Sequence, residues 1–265
     1  MNAAPLAAAR LGGLGMELWP RALYVTRATV GPGVIGFAFE AQEGEDAIAS
    51  DRLRPFRRGV NTLAWIPPGC PAFSASRMGG EYLVLRGFAT NAIAHPSAAG
   101  QAVNDVVGPA ALAAAQALRR ALLEGTVNSE AAAAPVDVLR AALLARFQGG
   151  PGRATRWLTP RRMAAVERLV AVRMEERIET ADLAAELGLS VGFLVLAFRS
   201  ALGTTPHRYL MERRLARARS ELGSTTKPVA GIALECGFAD QAHLTRYMRA
   251  ALGVTPAAYR RLARA

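Results

Sequence analysis

Hydrophobic positions in the last third of the chain follow a helical period, and the pattern occurs twice. Apolar residues recur every three or four positions from Thr180 onward, and Leu183–Tyr209 aligns with Ile232–Tyr259. Both copies contain matching glycines, capping residues and a trailing G-x-T-P-x-x-Y sequence, and the second copy has one additional residue in its turn. Such a repeat indicates a duplicated supersecondary unit.

Each copy has the pattern of a helix-turn-helix. The first helix of a copy ends at a glycine, Gly188 or Gly237, which supplies a left-handed turn. Ser190 or Asp240 then caps the second helix. Apolar spacing on that helix predicts one buried face, formed by Leu194, Ala197 and Phe198 in the first copy and by Leu244, Tyr247 and Met248 in the second. The opposite face stays free for a DNA major groove, which admits one helix.

Residues from Met16 to about Ala94 have the pattern of short strands instead. Segments such as ALYVTRATV, VIGFAFEA, NTLAWIPPG and EYLVLRGFAT are rich in β-branched and aromatic residues and are separated by Gly, Pro and charged turns. This pattern predicts a small sandwich or barrel. Its aromatic residues are expected mainly in the core, with a pocket lining as the alternative, and they are Trp19, Phe37, Phe39, Trp65, Phe73 and Phe88.

The period becomes helical again between Asp105 and Gln148. Asp105 is a candidate N-cap for one helix, and a second helix is predicted to start at Pro135. The apolar faces of these helices pack either on their own β domain or on a second chain. Those faces contain Leu112, Ala115, Leu118, Leu122, Leu139, Leu143 and Phe147.

A linker follows, because the sequence GGPGR at positions 149–153 cannot continue a helix. The pair Thr159–Pro160 then predicts the start of another helix, which is expected to run to about Arg177.

The charge is concentrated at the end that carries the repeat. The chain has a net charge of +11, and from Arg153 onward it contains 19 basic and 10 acidic residues. An arginine-rich solvated surface would explain this excess by itself. Together with the repeat, a phosphate-binding face is the better explanation, and its binding should weaken steeply with salt.

Other features predict a cytoplasmic protein that does not enter a membrane. No apolar run reaches the roughly 18 residues of a membrane helix without a charge. The two cysteines, Cys70 and Cys236, fall in different predicted domains, so a disulfide is not expected.

Enzymatic signatures are missing from the sequence. The N-terminal part has a single histidine, His95, which is too few for a metal-dependent barrel enzyme. The sequence has no phosphate loop or H-E-x-x-H motif, and its one G-x-S-x-G, Gly188–Gly192, lies at the turn of the first helix-turn-helix. We therefore expect no catalytic residues, no metal and no cofactor.

A cluster of arginines in the β region suggests two roles. It is either part of a solvated loop, which is the more common case, or a binding site for an anionic ligand. Its members are Arg52, Arg54, Arg57 and Arg58, around Pro55 and Phe56.

The C-terminal hundred or so residues resemble the DNA-binding domain of the AraC/XylS family of bacterial transcription regulators. The resemblance is carried by GFADQAHLTRYMRAALGVTPAAYR at 237–260, and by LAAELGLS and GTTPHRYLMERRLARAR before it. It implies seven helices, with two helix-turn-helix units joined by a long central helix, here Pro206–Leu222. The two recognition helices would then lie roughly 34 Å apart on one face of the DNA.

The resemblance extends less specifically to the N-terminal part. WIPPGCPAF at 65–73 resembles a strand and turn of the family's cupin-like sensor domain. This implies a cupin-like β-barrel that binds a small-molecule effector in its mouth.

These features predict an α+β protein with two domains. The β domain is a cupin-like barrel with following helices, and the C-terminal domain is all-α with two helix-turn-helix units. The expected boundaries are 1–104 for the effector-sensing β domain, 105–148 for a helical dimerisation and linking region, 149–158 for the linker, and 159–265 for the DNA-binding domain.

The second recognition helix is predicted to contact bases. Gln pairs well with adenine and Arg with guanine, so Gln241 and Arg246 are the first candidates. For His243, a phosphate contact or an intramolecular contact is an equally good interpretation. The full predicted set is Gln241, Ala242, His243, Thr245 and Arg246.

The first recognition helix departs from the family pattern. Val191, Gly192, Val195 and Leu196 fall on its groove side. Apolar side chains touch thymine methyl groups or are buried against another part of the protein, such as the sensor domain, until effector binds. The predicted phosphate contacts are Ser190, Arg199, Thr205 and Arg249.

The resulting hypothesis is a sequence-specific transcription regulator controlled by a small-molecule effector, with activation as the commoner role in the family. Its expected partners are double-stranded DNA, the effector, a second copy of the chain and RNA polymerase. The alternatives are a non-specific DNA-binding or ligand-binding protein, and a cupin enzyme with a DNA-binding tail.

Overall fold

The computed structural model describes residues 4–89, 93, 103–106, 108–148 and 157–264. The chain divides into two compact units, Met1–Gly152 and Arg153–Ala265. The GGPGR sequence and His95 lie outside the described residues.

The described part of the first unit contains ten strands in two antiparallel sheets. The strands are β1 (Ala7–Leu11), β2 (Leu14–Trp19), β3 (Tyr24–Thr29), β4 (Gly33–Ala38), β5 (Gln42–Ile48), β6 (Arg54–Arg58), β7 (Thr62–Ile66), β8 (Pro71–Met78), β9 (Tyr82–Phe88) and β10 (Val103–Val106). One sheet has the order β1-β2-β9-β4-β7-β10, and the other has the order β3-β8-β5-β6.

The antiparallel β domain is therefore confirmed, but its ladders form two sheets and do not close into one barrel among the described residues. Every residue of β4 is buried, and β4 lies inside the larger sheet between β9 and β7. β3 and β6 are edge strands and are mostly exposed. Pro55 fits in β6 because an edge strand tolerates a residue that cannot donate to the ladder.

Of the predicted core aromatics, Phe37, Phe39, Trp65 and Phe88 are at most 9% exposed. Trp19 and Phe73 are half-buried and line a cavity between the sheets. Trp65 also reaches that cavity, so the core and pocket interpretations both apply to this set.

Two helices complete the first unit, α1 (Pro109–Glu124) and α2 (Ser129–Phe147). Both start at places other than those predicted. Asp105 lies in β10, and α1 begins after Gly108. Asn128 caps α2 by accepting a hydrogen bond from the amide of Ala131, so α2 starts before Pro135, which lies inside the helix.

The apolar faces that we expected at a dimer contact are covered within the unit. α1 packs on α2, β1 and β2, and α2 packs on β7. In consequence Leu112, Ala115, Leu118, Leu122, Leu139 and Leu143 are at most 5% exposed. The alternative interpretation, packing on the chain's own β domain, describes these six residues.

A buried ion pair fixes α1 to the β structure. Arg119 Nη1 lies 3.0 Å from Glu81 Oε2, and the two side chains are 1% and 2% exposed. The guanidinium also lies over the ring of Phe39, 4.4 Å from its centroid. Removing one partner would leave an uncompensated charge in the interior and would destabilise the contact between α1 and the β structure.

The second unit is helical. Within residues 157–264 it has the seven helices that the resemblance implies, α3 (Pro160–Val172), α4 (Thr180–Glu186), α5 (Val191–Leu202), α6 (Pro206–Ser224), α7 (Val229–Glu235), α8 (Gln241–Leu252) and α9 (Pro256–Leu262). The central helix α6 matches its predicted range to within two residues at its end.

The predicted extension of α3 to Arg177 is wrong, because the helix stops at Val172. Arg173 caps it, and the amide of Glu176 donates back to the Arg173 carbonyl in a short turn. Arg173 Nε also contacts the Glu176 carboxylate at 2.7 Å, which supports this turn against continuation of the helix.

Candidate nucleic-acid interface

The two turns of the repeat have the same hydrogen-bonded geometry. Gly188 and Gly237 adopt left-handed φ values of 63° and 75°. The amides of Leu189 and Phe238 each donate over 2.9 Å to a carbonyl five residues back. This is the Schellman arrangement that ends a helix and reverses the chain. The predicted glycine turns are therefore confirmed in both copies.

The helices that follow are capped as the sequence predicts. Ser190 Oγ accepts from the amide of Phe193 at 3.3 Å, and Asp240 Oδ1 accepts from the amide of His243 at 2.6 Å. Each cap satisfies one of the free amides at the start of a helix, and the carboxylate also interacts favourably with the helix dipole.

Helices α5 and α8 present equivalent faces. Both are 12 residues long, and their burial patterns agree at ten positions; Ala197 and Ala201 are buried, whereas their counterparts Tyr247 and Ala251 are half-buried. Leu194, Phe198 and the corresponding residues of α8, Leu244 and Met248, are 0% exposed. The duplicated core positions thus hold both helices in the same orientation on their supports, and leave one face of each to solvent.

The exposed face of α8 is polar. Gln241, Ala242 and Arg246 are exposed. Within the described residues, the side chains of Gln241 and Arg246 form no hydrogen bond or ion pair, so both keep their full donor capacity.

Two other candidates on α8 are engaged within the protein. Thr245 Oγ1 donates to the carbonyl of Gln241 at 2.8 Å, so its hydroxyl proton is used and its methyl group remains free. His243 Nδ1 accepts from the amide of Ala239 at 3.3 Å, and its ring packs edge-on against Phe238 at 5.3 Å. The structure thus shows an intramolecular contact for His243.

The exposed face of α5 is apolar. Val191 is 46% exposed and Leu196 is 64% exposed, while Gly192 is exposed and Val195 is half-buried. Phe193, at the position equivalent to His243, packs edge-to-face on Trp157, with ring centroids 5.0 Å apart. No feature of the sequence indicates this contact, because Trp157 precedes the repeat and belongs to no periodic pattern.

The predicted phosphate contacts lie at or near the ends of helices. Ser190 and Thr205 are N-caps, whose hydroxyl oxygens accept from the amides of Phe193 and Arg208 and whose protons remain free to donate. Arg199 and Arg249 are exposed at equivalent positions in the last turns of α5 and α8.

A residue that sequence reasoning missed lies beneath the second turn. Arg214 of α6 is 8% exposed and donates to the carbonyl of Glu176. Burial lowers the pKa of its guanidinium. A Cβ placed on Gly237 would lie 2.6 Å from Arg214 Nε and 2.2 Å from the carbonyl of Met174, so glycine is required there for space as well as for φ.

The cavity in the first unit has a volume of about 750 Å³ and lies between the two sheets. The arginine cluster belongs to its border rather than to a loop. Arg54 and Arg58 of β6 line the cavity, with Arg52 just before them, whereas Arg57 does not. Arg58 pairs with Asp46 at 2.8 Å, and Arg57 lies 4.0 Å from Glu43.

In the part of the chain that the structure describes, no single helix has the length and apolarity to cross a membrane, and the pair α4 and α5 meets that test jointly with a bend of 89°. The same residues include no group of three or more His, Cys, Asp or Glu side chains arranged to hold a metal ion.

Residues 183–262 match the model of a family described as "Helix-turn-helix domain". The chain is 35% identical over 88 residues to the HTH-type transcriptional regulator ArgR of Pseudomonas aeruginosa, a match that covers 33% of this chain and 27% of that regulator. The chain therefore spans about a quarter of that relative's length.

Solved structures of similar domains match the same part of the chain. One is a transcriptional regulator with an AraC-type DNA-binding domain from Chromobacterium violaceum, at 33% identity, 39% of this chain, 92% of that chain and a TM-score of 0.37. Another is the DNA-binding domain of AdpA in complex with a target DNA, at 30% identity, 37% and 89% coverage and a TM-score of 0.36. The C-terminal part of the chain therefore contains a helix-turn-helix domain of the AraC type.

Proposed function

We propose that the protein is a sequence-specific, DNA-binding transcription regulator that responds to a small molecule bound in its β domain. The observation that carries this proposal is the equivalence of α5 and α8. Both helices are capped at the N-terminus, bury corresponding positions and expose corresponding positions. A helix of this kind fits a major groove. The connecting helix α6 has 19 residues and is therefore about 28 Å long, comparable with the roughly 34 Å between successive major grooves.

The two helices differ in what they offer to DNA. We propose that Gln241 and Arg246 supply most of the hydrogen-bonded base recognition, with Ala242, His243 and Thr245 at the same surface. Val191, Gly192, Val195 and Leu196 would contact thymine methyl groups, which requires no donor. Ser190, Thr205, Arg199 and Arg249 would position the domain on phosphates.

Selection of duplexes from a random library by the full chain tests the proposal. The selected site should contain two segments about one helical turn apart, and the segment under α5 should be richer in A·T pairs. At moderate salt, the protein should prefer that site over unrelated DNA by at least about a thousandfold. A preference below about tenfold would favour a non-specific DNA-binding protein instead.

The effector would bind in the 750 Å³ cavity and favour one arrangement of the DNA-binding units over another. We further propose a cytoplasmic homodimer that acts as an activator through RNA polymerase. Because the inner faces of α1 and α2 are covered, the dimer contact would lie on their outer faces, where Val138 is 36% exposed. Light scattering of Val138→Glu, compared with the wild-type chain, tests that contact.

A further inference from the structure

The cavity of the first unit has apolar walls and a charged border. Its volume of about 750 Å³ is within the usual range for small-molecule sites. Side chains from both sheets face it, among them Trp19, Tyr24, Trp65, Tyr82 and Val84. An aromatic or aliphatic body of moderate size would find contact on both sides of such a space.

The neutral polar groups around the cavity are largely engaged within the protein. Gln42 Nε2 donates to the carbonyl of Gly80 at 3.3 Å, and the hydroxyls of Tyr24 and Ser74 are 3.2 Å apart. Ser50 Oγ accepts from the amide of Arg52 at 3.1 Å. A neutral polyol would therefore have to share groups that already form hydrogen bonds within the protein.

The charged groups leave an excess of positive charge. Of the four arginines on the cavity, Arg58 is paired with Asp46 at 2.8 Å and Arg86 with Glu17 at 3.5 Å. Arg52 and Arg54 are exposed, and their side chains form no ion pair or hydrogen bond with any residue that the structure describes. Their guanidiniums are thus available as donors at the border of an apolar space.

We infer that the cavity takes an organic anion, with an aromatic or aliphatic body between the sheets and a carboxylate, sulfonate or phosphate group received by Arg52 and Arg54. The inference rests on the proposed function, in which this cavity is the effector site, and it adds the chemical class of the effector. Guanidinium groups suit this role because they offer paired donors to planar or tetrahedral oxyanions.

Two fluorescent probes with the same body test the inference. 8-Anilinonaphthalene-1-sulfonate carries an anionic group, and N-phenyl-1-naphthylamine is the same molecule without it. The full chain should bind the sulfonate at least about tenfold more tightly than the neutral probe, since charge-assisted hydrogen bonds are stronger than neutral ones. Equal affinity for the two probes, or no binding of the sulfonate, would overturn the inference.

Matched variants locate the anion. The Arg52→Gln/Arg54→Gln double variant should lose about tenfold or more in affinity for the sulfonate and nothing for the neutral probe. Arg57→Gln is the control, because Arg57 lies on the same strand as Arg54 but outside the cavity lining. A sulfonate affinity that responds equally to the double variant and to Arg57→Gln would show a general charge effect and sink the assignment.

A blocking variant locates the body. Thr26 is exposed on the edge strand β3 and lines the cavity, so Thr26→Trp should fill the space without disturbing the core. Both probes should then lose affinity by about tenfold or more; unchanged binding would place them elsewhere and refute the site. DNA affinity, measured without probe, separates the two claims, because a failed probe test with intact specific DNA binding refutes the effector class alone.

Discussion

The two helix-turn-helix units have the same turns, caps and buried positions, but the residues on their exposed faces differ. Gly188 and Gly237 make the same turn, Ser190 and Asp240 cap the next helix, and equivalent leucines are fully buried. On the free faces, however, Leu196 occupies the place of Arg246. The interior of the unit thus fixes the orientation of the helix, and this allows the exposed chemistry to change without loss of the fold.

The units also differ beneath the turn. A Cβ on Gly188 would meet nothing within 4 Å, whereas a Cβ on Gly237 would lie 2.2 Å from the carbonyl of Met174. Glycine is therefore required at position 188 for its backbone conformation alone, and at position 237 for both its backbone conformation and the lack of space for a side chain. The second unit is the more tightly packed at this point, which gives the comparison a direct energetic test.

The largest expected effect is on stability. Gly188→Ala should cost about 1–2 kcal/mol, the penalty for an L-residue in the left-handed region. Gly237→Ala should cost at least about 3 kcal/mol, because backbone atoms must also move to relieve the clash. Urea denaturation of the full chain, or the soluble yield where the variant fails to fold, measures the difference. Equal losses in the two variants would mean that the Met174 contact is not restrictive.

The second prediction concerns DNA recognition. Arg246→Ala should cost about 1–3 kcal/mol in binding to the selected site and relax the preference at one or two base pairs. Leu196→Ala should leave the preference for G·C pairs unchanged, because an aliphatic side chain cannot donate to a base edge. Fluorescence anisotropy with single-pair substitutions in the site measures both.

Replacing the apolar face by the polar one sharpens the same comparison. The double change Val191→Gln/Leu196→Arg should create a new G·C or A·T preference under α5, since the burial of the two helices is equivalent. If α5 instead gained affinity uniformly across sequences, the new arginine would be contacting phosphate, and the two helices would not present equivalent faces to the groove.

The parts of the fold that could be predicted are those with local chemical signals. Glycine turns, Ser, Thr or Asp caps and proline at the first helical position placed most of the helix starts in the second unit, because each signal acts within four residues. The start of α2 is an exception, because Pro135 is a stronger signal for a helix start than Asn128, although a proline inside a helix is tolerated at some cost.

The parts that could not be predicted depend on distant partners. β6 contains Arg-Pro-Phe-Arg-Arg and has no strand pattern, yet it pairs with β5 at the edge of a sheet. Likewise, Arg119 and Glu81 are 38 residues apart, so nothing in the period of α1 shows that its arginine would be buried. For the candidate interface, the exposed faces follow from periodicity, but the contacts of His243 with Ala239 and Phe238 depend on how the turn folds back on the helix.

A smaller effect is expected from the caps. Ser190→Ala and Asp240→Ala should each cost about 0.5–2 kcal/mol. The loss should be larger for Asp240, whose oxygen is 2.6 Å from the amide it accepts from, against 3.3 Å for Ser190. Exchanging the caps, with Ser190→Asp and Asp240→Ser, provides the control. Calorimetry of the full chain would contradict the comparison if Ser190→Ala were the more damaging change.

The smallest expected effect is a pH dependence of stability that arises from Cys236 in the second unit. Cys236 follows α7 at the position that Leu187 occupies after α4, and burial raises the pKa of its thiol from 9.0 to about 12. The folded chain therefore keeps a proton that the unfolded chain loses, so this stabilisation is complete below about pH 9 and is lost as the pH rises toward 12. Cys236→Ala should lower the melting temperature at neutral pH, and the difference in melting temperature from the wild-type chain should narrow as the pH rises through that window.

Burial also raises the pKa of Tyr209, but Tyr209 is present in both the variant and the wild-type chain, so its contribution cancels in the difference. A gap that stayed constant into the alkaline range would mean that the thiol ionises in the folded state as readily as in the unfolded one, and the second turn would then be less closed to water than its packing indicates.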